Sequence, residues 1–485
     1  MLRRWKKVLS ITLLISTSVL LAVGCGGDND QKASPTPSGV PATQTTAASP
    51  TSRGPGAAGL SSNPREVRGL EGILTLDDGL AIFEKRPANE SRTGVSDDKI
   101  VLGRYAGASN PAIATYEAVW APAIQALVKR INEAGGIHGR KLEIISRDDQ
   151  YNPAVTVQVV QELVEKDGVF ALFFGVGNAP HQAIGEYAIS KGVPELWTFD
   201  GNVKWAEPET TKTEFPGLFP DILEGVIQAK AILTEHPGAR VAAIYENDAL
   251  GQPFMEGFKP SLEQGGGQLA AAVPFDVTAT DMTSYVQQAL DANPDAIIFY
   301  GTFTTALSTI SAMRQTFGST VPLYQRGALP NPQVSTLLDG VENTSNAKSP
   351  YTHPTDPVWD KLKAFTQEEG IPYNETLTLL ILREFEHLVR ALEMAGPDLT
   401  REGLIEAIET GFDGSWTCSV CLAPTILGPQ DHWSFEAARA VRWNHSKGTY
   451  DDITPVVSFE TSEGKGIRGN IPGYECKPGT CPWKE

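Results

Sequence analysis

Six short polar stretches, each following an apolar run, carry the side chains that could do chemistry in this chain. They are Ser109, Asn110 and Tyr116; Gly177, Asn178 and Ala179; Thr198, Phe199, Asp200 and Gly201; Asn247, Asp248 and Leu250; Thr302 and Phe303; and Arg326. Together they offer hydroxyls, amides, ring surfaces and backbone N–H groups at helix starts. Such a set suits binding: helix-start amides hold anionic groups, a few polar groups orient a ligand and aromatic rings supply area. It does not suit turnover. The chain has no GKS or GKT phosphate loop, no GxSxG elbow and no HExxH pair. Gly175 and Gly177 form a GxG, but Pro180 stands where a dinucleotide loop needs its third glycine. The seven histidines are scattered without metal-ligand spacing, so neither a metal nor a cofactor is expected. Asp148 and Asp149 could be imagined as acid and base. Adjacent strand residues point to opposite faces and Asp suits a helix start, so loop bracing is the expected role. Asp431 and His432 are read the same way, and the nine tryptophans are too dispersed for a sugar platform.

Regular alternation of strand and helix would position these stretches. Strands are expected at 99–103, 141–147, 169–174 and 193–198, with helices at 154–166 and 180–190. Trp120, Ile124, Leu127, Val128 and Ile131 recur at helical spacing before Gly135 and Gly136. Pro122 marks a start or a kink in that first helix. The series then restarts, with helices at 222–235, 252–264, 283–291 and 304–317 and strands at 241–245, 269–275, 296–300 and 321–325. Three helices follow at 356–369, 375–394 and 400–409, then strand-like runs at 438–444 and 455–459. A βαβ series predicts parallel sheets with helices on both faces. Ligands then sit beyond the carboxyl ends of the strands.

The segment INEAGGIHGRKLEII from Ile131, followed by Asp148-Asp149, resembles the leucine/isoleucine/valine-binding family of solute-binding proteins that serve ABC importers. LVEKDGVFALFFG from Leu163, KGVPELW from Lys191 and VAAIYENDALGQPF from Val241 support the resemblance, which covers about 97–459. It implies an α/β fold of two doubly wound parallel-sheet lobes joined by a three-segment hinge. Lobe 1 would comprise 97–218 with 350–413, and lobe 2 would comprise 219–349 with 414–460. Crossings are expected near 215–221, 346–354 and 411–416. The resemblance also implies a solute partner (an amino acid, an amide or a small carboxylate), an ABC permease as second partner, and no catalysis. Tyr116 falls where the family has a cleft tyrosine. The Gly177–Ala179 loop falls where amino-acid binders hold the ligand carboxylate, and the Thr198–Gly201 loop where they hold carboxylate and ammonium. Phe303 sits near a second-lobe aromatic. Two departures stand out. Leu250 replaces a tyrosine, and Tyr324-Gln325-Arg326-Gly327-Ala328 lacks the acid that meets an ammonium. Asp200 or Asp248 would have to substitute, or else Arg326 favours a ligand with a carboxylate and no ammonium. A ligand sensor of the same fold is the alternative to an importer.

The remaining segments concern location. Arg3, Arg4, Lys6 and Lys7 precede an apolar run from Val8 to Val23 that is short for a membrane span. Ala22-Val23-Gly24-Cys25 resembles a bacterial lipobox, so 1–24 reads as a lipoprotein signal peptide and Cys25 as the acylated residue. An extracytoplasmic protein held on the cell membrane through Cys25 is expected. Residues 25–63 are rich in Ser, Thr, Pro, Ala and Gly and read as a disordered tether. Residues 64–96 form an N-terminal extension and 461–485 a tail. The other four of the five cysteines form two couples, Cys418/Cys421 and Cys476/Cys481. Two local disulfides are expected outside the cytoplasm, with a redox CxxC and a four-cysteine zinc site as alternatives. The formal charge of −18 across 485 residues excludes a nucleic-acid surface.

Overall fold

The computed structural model describes residues 64–206, 210–326, 344–349, 357–444 and 449–458. Cys25, Cys476 and Cys481, the signal segment, the whole tether and the C-terminal tail lie outside them. Two small strands, β1 (Arg65–Glu66) and β2 (Thr75–Leu76), pair antiparallel and open the described chain. This N-terminal stretch straps the body, burying Val67, Leu70, Leu74 and Leu76 in its largest apolar core.

The first sheet has five parallel strands: β3 (Lys99–Ala106), β4 (Lys141–Asp148), β5 (Ala171–Phe173), β6 (Glu195–Thr198) and β7 (Glu214–Pro216), in the spatial order β4-β3-β5-β6-β7. Helix α1 (Ala114–Glu133) carries Pro122 inside it and buries Trp120, Ile124, Leu127 and Ile131. Gly135 and Gly136, at φ 103° and 69°, take the left-handed conformations that end it. Helices α2 (Pro153–Glu165) and α3 (Asn178–Ser190) complete the crossovers.

Helix α4 (Asp221–Glu235) leads to the second sheet. Its strands are β8 (Arg240–Glu246), β9 (Gln268–Phe275), β10 (Ala296–Tyr300), β11 (Leu323–Gln325), β12 (Thr344–Ser349), β13 (Ala437–Asn444), β14 (Thr449–Asp452) and β15 (Val457–Ser458). Helices α5 (Gly251–Gln264), α6 (Thr283–Asp291) and α7 (Phe303–Ser311) connect the first four strands. The order is β14-β13-β12-β11-β10-β8-β9, with β15 on β13. It is parallel from β9 to β12 and antiparallel around β13, so the second sheet is mixed rather than wholly parallel. Both sheets wind alike: the second strand flanks the first on one side and the third flanks it on the other. Helices α8 (Val358–Glu368), α9 (Glu375–Ala395) and α10 (Arg401–Gly411) return to the first sheet. Trp120 Nε1 donates to Leu377 O at 3.0 Å, and Arg401 Nε donates to Phe170 O at 2.8 Å.

Two details differ from the sequence reading. Residues 214–216 and 344–349, expected at or near crossings, pair as β7 and β12 within the sheets. The helix expected to 317 gives way after Ser311 to a π turn, Ala312–Thr316. The expected local disulfide between Cys418 and Cys421 is present, a state that offers zinc no thiolate from this couple. Among the described residues no helix is long and apolar enough to cross a membrane.

Candidate functional site

In doubly wound sheets the crevice opens beyond the carboxyl ends of the strands, where the winding reverses. Here that means the loops after β3 and β5 on one side and after β8 and β10 on the other. From the first sheet come Tyr116, Tyr151, Gly177 to Ala179 and Thr198. From the second come Glu246, Asp248, Tyr300 and Arg326, with Asp221 and Glu224 on α4.

The Asp148-Asp149 pair builds the rim. Asp148 Oδ1 accepts from Ser109 N at 3.2 Å and Gln150 N at 3.0 Å. Asp149 accepts from Tyr151 N at 2.9 Å and Thr156 Oγ1 at 2.6 Å. These turns hold Gln150 and Tyr151 at φ 60° and 53°, a conformation rare for such side chains. Tyr151 thereby lies across Gly177: a Cβ at Gly177, which has φ 106°, would collide with its ring. Asn110 Nδ2 donates to Gln150 O at 3.1 Å, so Ser109 and Asn110 serve as braces of this rim.

Gly177 caps α3, and its own N–H donates to Phe199 O at 3.1 Å. The next two amides, of Asn178 and Ala179, open the helix with no backbone acceptor among the described residues. The Thr198 hydroxyl is buried and likewise lacks a partner among them. Asn178 Nδ2 reaches across, donating to Asp221 Oδ2 at 3.0 Å and to Ala249 O at 3.3 Å. Tyr116 is buried, with its ring 5.3 Å from Trp120 and 6.3 Å from Phe199.

Opposite, the Tyr300 hydroxyl donates to Asp221 Oδ1 at 2.7 Å and is 3.0 Å from Glu224 Oε2. The Arg326 guanidinium lies 5.4 Å from the Tyr300 ring centre and 3.8 Å from Asp221 Oδ1. Burial opposes its charge, but Tyr300, Asp221, Glu224 and Tyr116 outweigh that and hold it above its ordinary range. Burial pushes the Asp221 carboxyl up to about 7, against the pull of Arg326. Glu246, at the end of β8, is pushed up to about 8 by burial and by Asp248, with Arg326 pulling the other way. One Glu246 oxygen, Oε2, is buried without a partner among the described residues. Tyr151 is raised well above its ordinary range by burial first and then by the charges of Glu246 and Asp248.

Several expected roles change. The Asp200 carboxylate is spent on His181 Nδ1 at 2.8 Å and Asn202 N at 2.8 Å, so it is not offered to a ligand ammonium. Asp248 Oδ1 accepts from Leu250 N at 2.9 Å in the turn that leads into α5. Leu250 is packed with Phe254 and Phe258 in the core of the second sheet. Arg326 is already faced by acids. Thr302 is buried, its Oγ1 3.1 Å from Thr305 Oγ1, and Phe303 opens α7. Tyr151, Asp221, Glu246 and Tyr300 escape the sequence reading. Glu246 had a signal: a charged residue closing the buried run VAAIY at a strand's carboxyl end. Asp431 and His432 are structural. Asp431 Oδ1 accepts from Trp433 N at 3.0 Å, and His432 bridges Glu214 O at 2.8 Å and Glu409 Oε1 at 3.1 Å.

Residues 108–449 match the family model described as periplasmic binding protein. The Leu/Ile/Val-binding protein homolog 1 of Brucella abortus is 23% identical over 294 residues, or 60% of this chain and 77% of that one. The amino acid binding protein of Pseudomonas aeruginosa is 25% identical over 227 residues, 44% of this chain; the chain thus spans only 57% of that relative. Two solved structures share the fold at TM-score 0.66. One is the fatty acid ABC transporter substrate-binding protein from Thermomonospora curvata, 19% identical, covering 79% of this chain and 99% of its own. The other is a branched-chain amino acid ABC transporter protein from Thermus thermophilus with bound valine, 15% identical, covering 75% and 97%.

Proposed function

We propose, from the premise that this chain belongs to the periplasmic binding protein family, that it captures an amino-acid-like zwitterion between its two sheets and delivers it to an ABC permease. Proteins of this family are extracytoplasmic substrate-binding proteins rather than enzymes. The observation that carries the reading is a pair of opposite anchors. The first-turn amides of α3 and the Thr198 hydroxyl suit a ligand carboxylate. Glu246, buried with an unspent oxygen, suits an ammonium. The acid that the Tyr324–Ala328 stretch lacks is thus supplied from β8. Tyr116 and Tyr151 add apolar area, and Asn178 links α3 to Ala249 of the facing loop when the two sides approach. Ligand touching both sides favours that closed arrangement and shifts the population toward it. No bond is made or broken.

Calorimetry tests the polarity directly. Leucine or valine should bind, while the acid lacking the amino group and the amide lacking the carboxylate should each bind about 10- to 100-fold more weakly. Equal binding of the deaminated acid would overturn the zwitterion and favour the carboxylate ligand first suggested by Arg326. Location has its own test. Cys25→Ala should move the protein from the membrane to the soluble fraction and abolish palmitate labelling.

A further inference from the structure

A second cluster of ionisable groups lies behind the crevice. His181 is on α3, Glu195 opens β6 and Glu214 opens β7, and all three are fully or almost fully buried. His181 Nε2 stands 3.1 Å from Glu214 Oε2 and 3.5 Å from Glu195 Oε2. One donor atom from each residue lies within 4.8 Å of the others. Donors that share an ion at about 2.0–2.2 Å from it are separated by such distances.

The outward atoms are all held in place. His181 Nδ1 meets Asp200 Oδ2 at 2.8 Å, Tyr105 OH donates to Glu195 Oε1 at 2.6 Å, and Thr213 Oγ1 donates to Glu214 Oε1 at 3.2 Å. This is the outer layer that orients metal ligands: a carboxylate on the far imidazole nitrogen and a hydroxyl on each ligating carboxylate. The inward atom Glu195 Oε2 is buried and has no hydrogen-bond partner among the described residues. Three carboxylates around one imidazole make a strongly negative interior, which is costly without a compensating cation.

We propose that His181 Nε2, Glu195 and Glu214 hold a divalent transition-type cation, with Asp200 fixing the imidazole tautomer from Nδ1. One imidazole with two carboxylates suits Zn2+ or Mn2+ better than Ca2+ or Mg2+. The ion takes the place of two protons, one on Nε2 and one on a carboxyl, and leaves the net charge of the cluster unchanged. Trp205 stacks on His181 with ring centres 4.3 Å apart and covers the site. Exchange is therefore slow, and the ion is taken up as the chain folds. Because Asp200 shares a loop with Thr198 and Gly201, the ion would stiffen one wall of the crevice, yet the site stands whether or not the solute is an amino acid.

The test is refolding. The protein is unfolded with chelator, refolded with Zn2+, with Mn2+ or metal-free, and dialysed against a weak chelator. One of the two metals should be retained at about one equivalent by elemental analysis, raising Tm by roughly 5 °C or more over the metal-free sample. Glu195→Gln and Glu214→Gln, isosteric and one charge less repulsive, should fold by circular dichroism, retain under about a tenth of an equivalent and lose the shift. Metal-free protein that matches the loaded protein in Tm and keeps neither ion overturns the site in favour of a proton-filled cluster. Retention of metal by both variants overturns it in favour of binding elsewhere. Should neither variant fold, the comparison of loaded and metal-free wild type decides alone.

Discussion

In the proposed reading Glu246 sets the polarity of the crevice. It closes a strand of small and branched apolar residues, so its carboxyl is fixed in position and cut off from water. A carboxylate there is worth having only beside a cation, and Arg326 is shared with Asp221 and Glu224. Glu246→Gln keeps the shape and removes the charge. It should weaken binding of a zwitterionic ligand about 10- to 100-fold while changing binding of the deaminated acid little, both read by calorimetry. Gly177→Ala tests the opposite wall. Its φ of 106° and the Tyr151 ring against it leave a methyl group no place, so Tyr151 must move and affinity should fall at least about tenfold with the fold retained. At this scale the sequence is a partial guide. Loop positions at strand ends can be read from it, and Tyr116, the Asn178 loop and Thr198 do stand there. Which way each side chain turns cannot be read. Asp200 turns to His181 and Leu250 to Phe254 because a buried imidazole and an apolar core claim them first. The meeting of His181, Glu195 and Glu214 is equally hidden, since the three lie on neighbouring elements, a helix and two strands, and only the packing of those elements brings them together.

The elements hold these residues through buried polar ties as much as through apolar packing. Arg104 on β3 is fully buried. It donates from Nη1 to Glu117 Oε2 on α1 at 2.9 Å and from Nε to Phe174 O at 3.0 Å, so it joins a strand, a helix and the loop leading to Gly177. Deleting one partner leaves a buried charge unpaired. Glu117→Ala should therefore cost about 3–5 kcal/mol in chemical denaturation. A cost under about 1 kcal/mol would show the guanidinium to be rescued by solvent. The elements legible in the sequence are those with long apolar periodicity, such as α1 and β8. β7 and β14 are three and four residues long, and β12 reads TSNAKS, with no apolar run. Their strand character comes from neighbours that supply the ladder, which local composition does not encode.

At the scale of the whole molecule, burial of acids makes stability and binding respond oppositely to pH. Burial raises Glu246, Glu386 and Glu393 to about 8 and Asp221 and Glu384 to about 7. In the unfolded chain these carboxyls lose their protons near pH 4 to 4.5. Between that range and about pH 8 the folded chain therefore binds more protons than the unfolded one. The stability these groups contribute is complete below about pH 4 and is lost as pH rises through 7 and 8. Ligand-free Tm should thus fall from pH 6 to pH 9. Solute affinity should run the other way. A ligand ammonium needs Glu246 ionised, so at pH 6.5 binding must expel the carboxyl proton, whereas at pH 8.5 little remains to expel. Affinity for leucine or valine should rise about 10- to 30-fold across that range. Calorimetry in buffers of different ionisation enthalpy should register proton release near one per ligand at the lower pH. In Glu246→Gln both the rise and the release should vanish. Persistence of either would place the ammonium beside Asp248 instead.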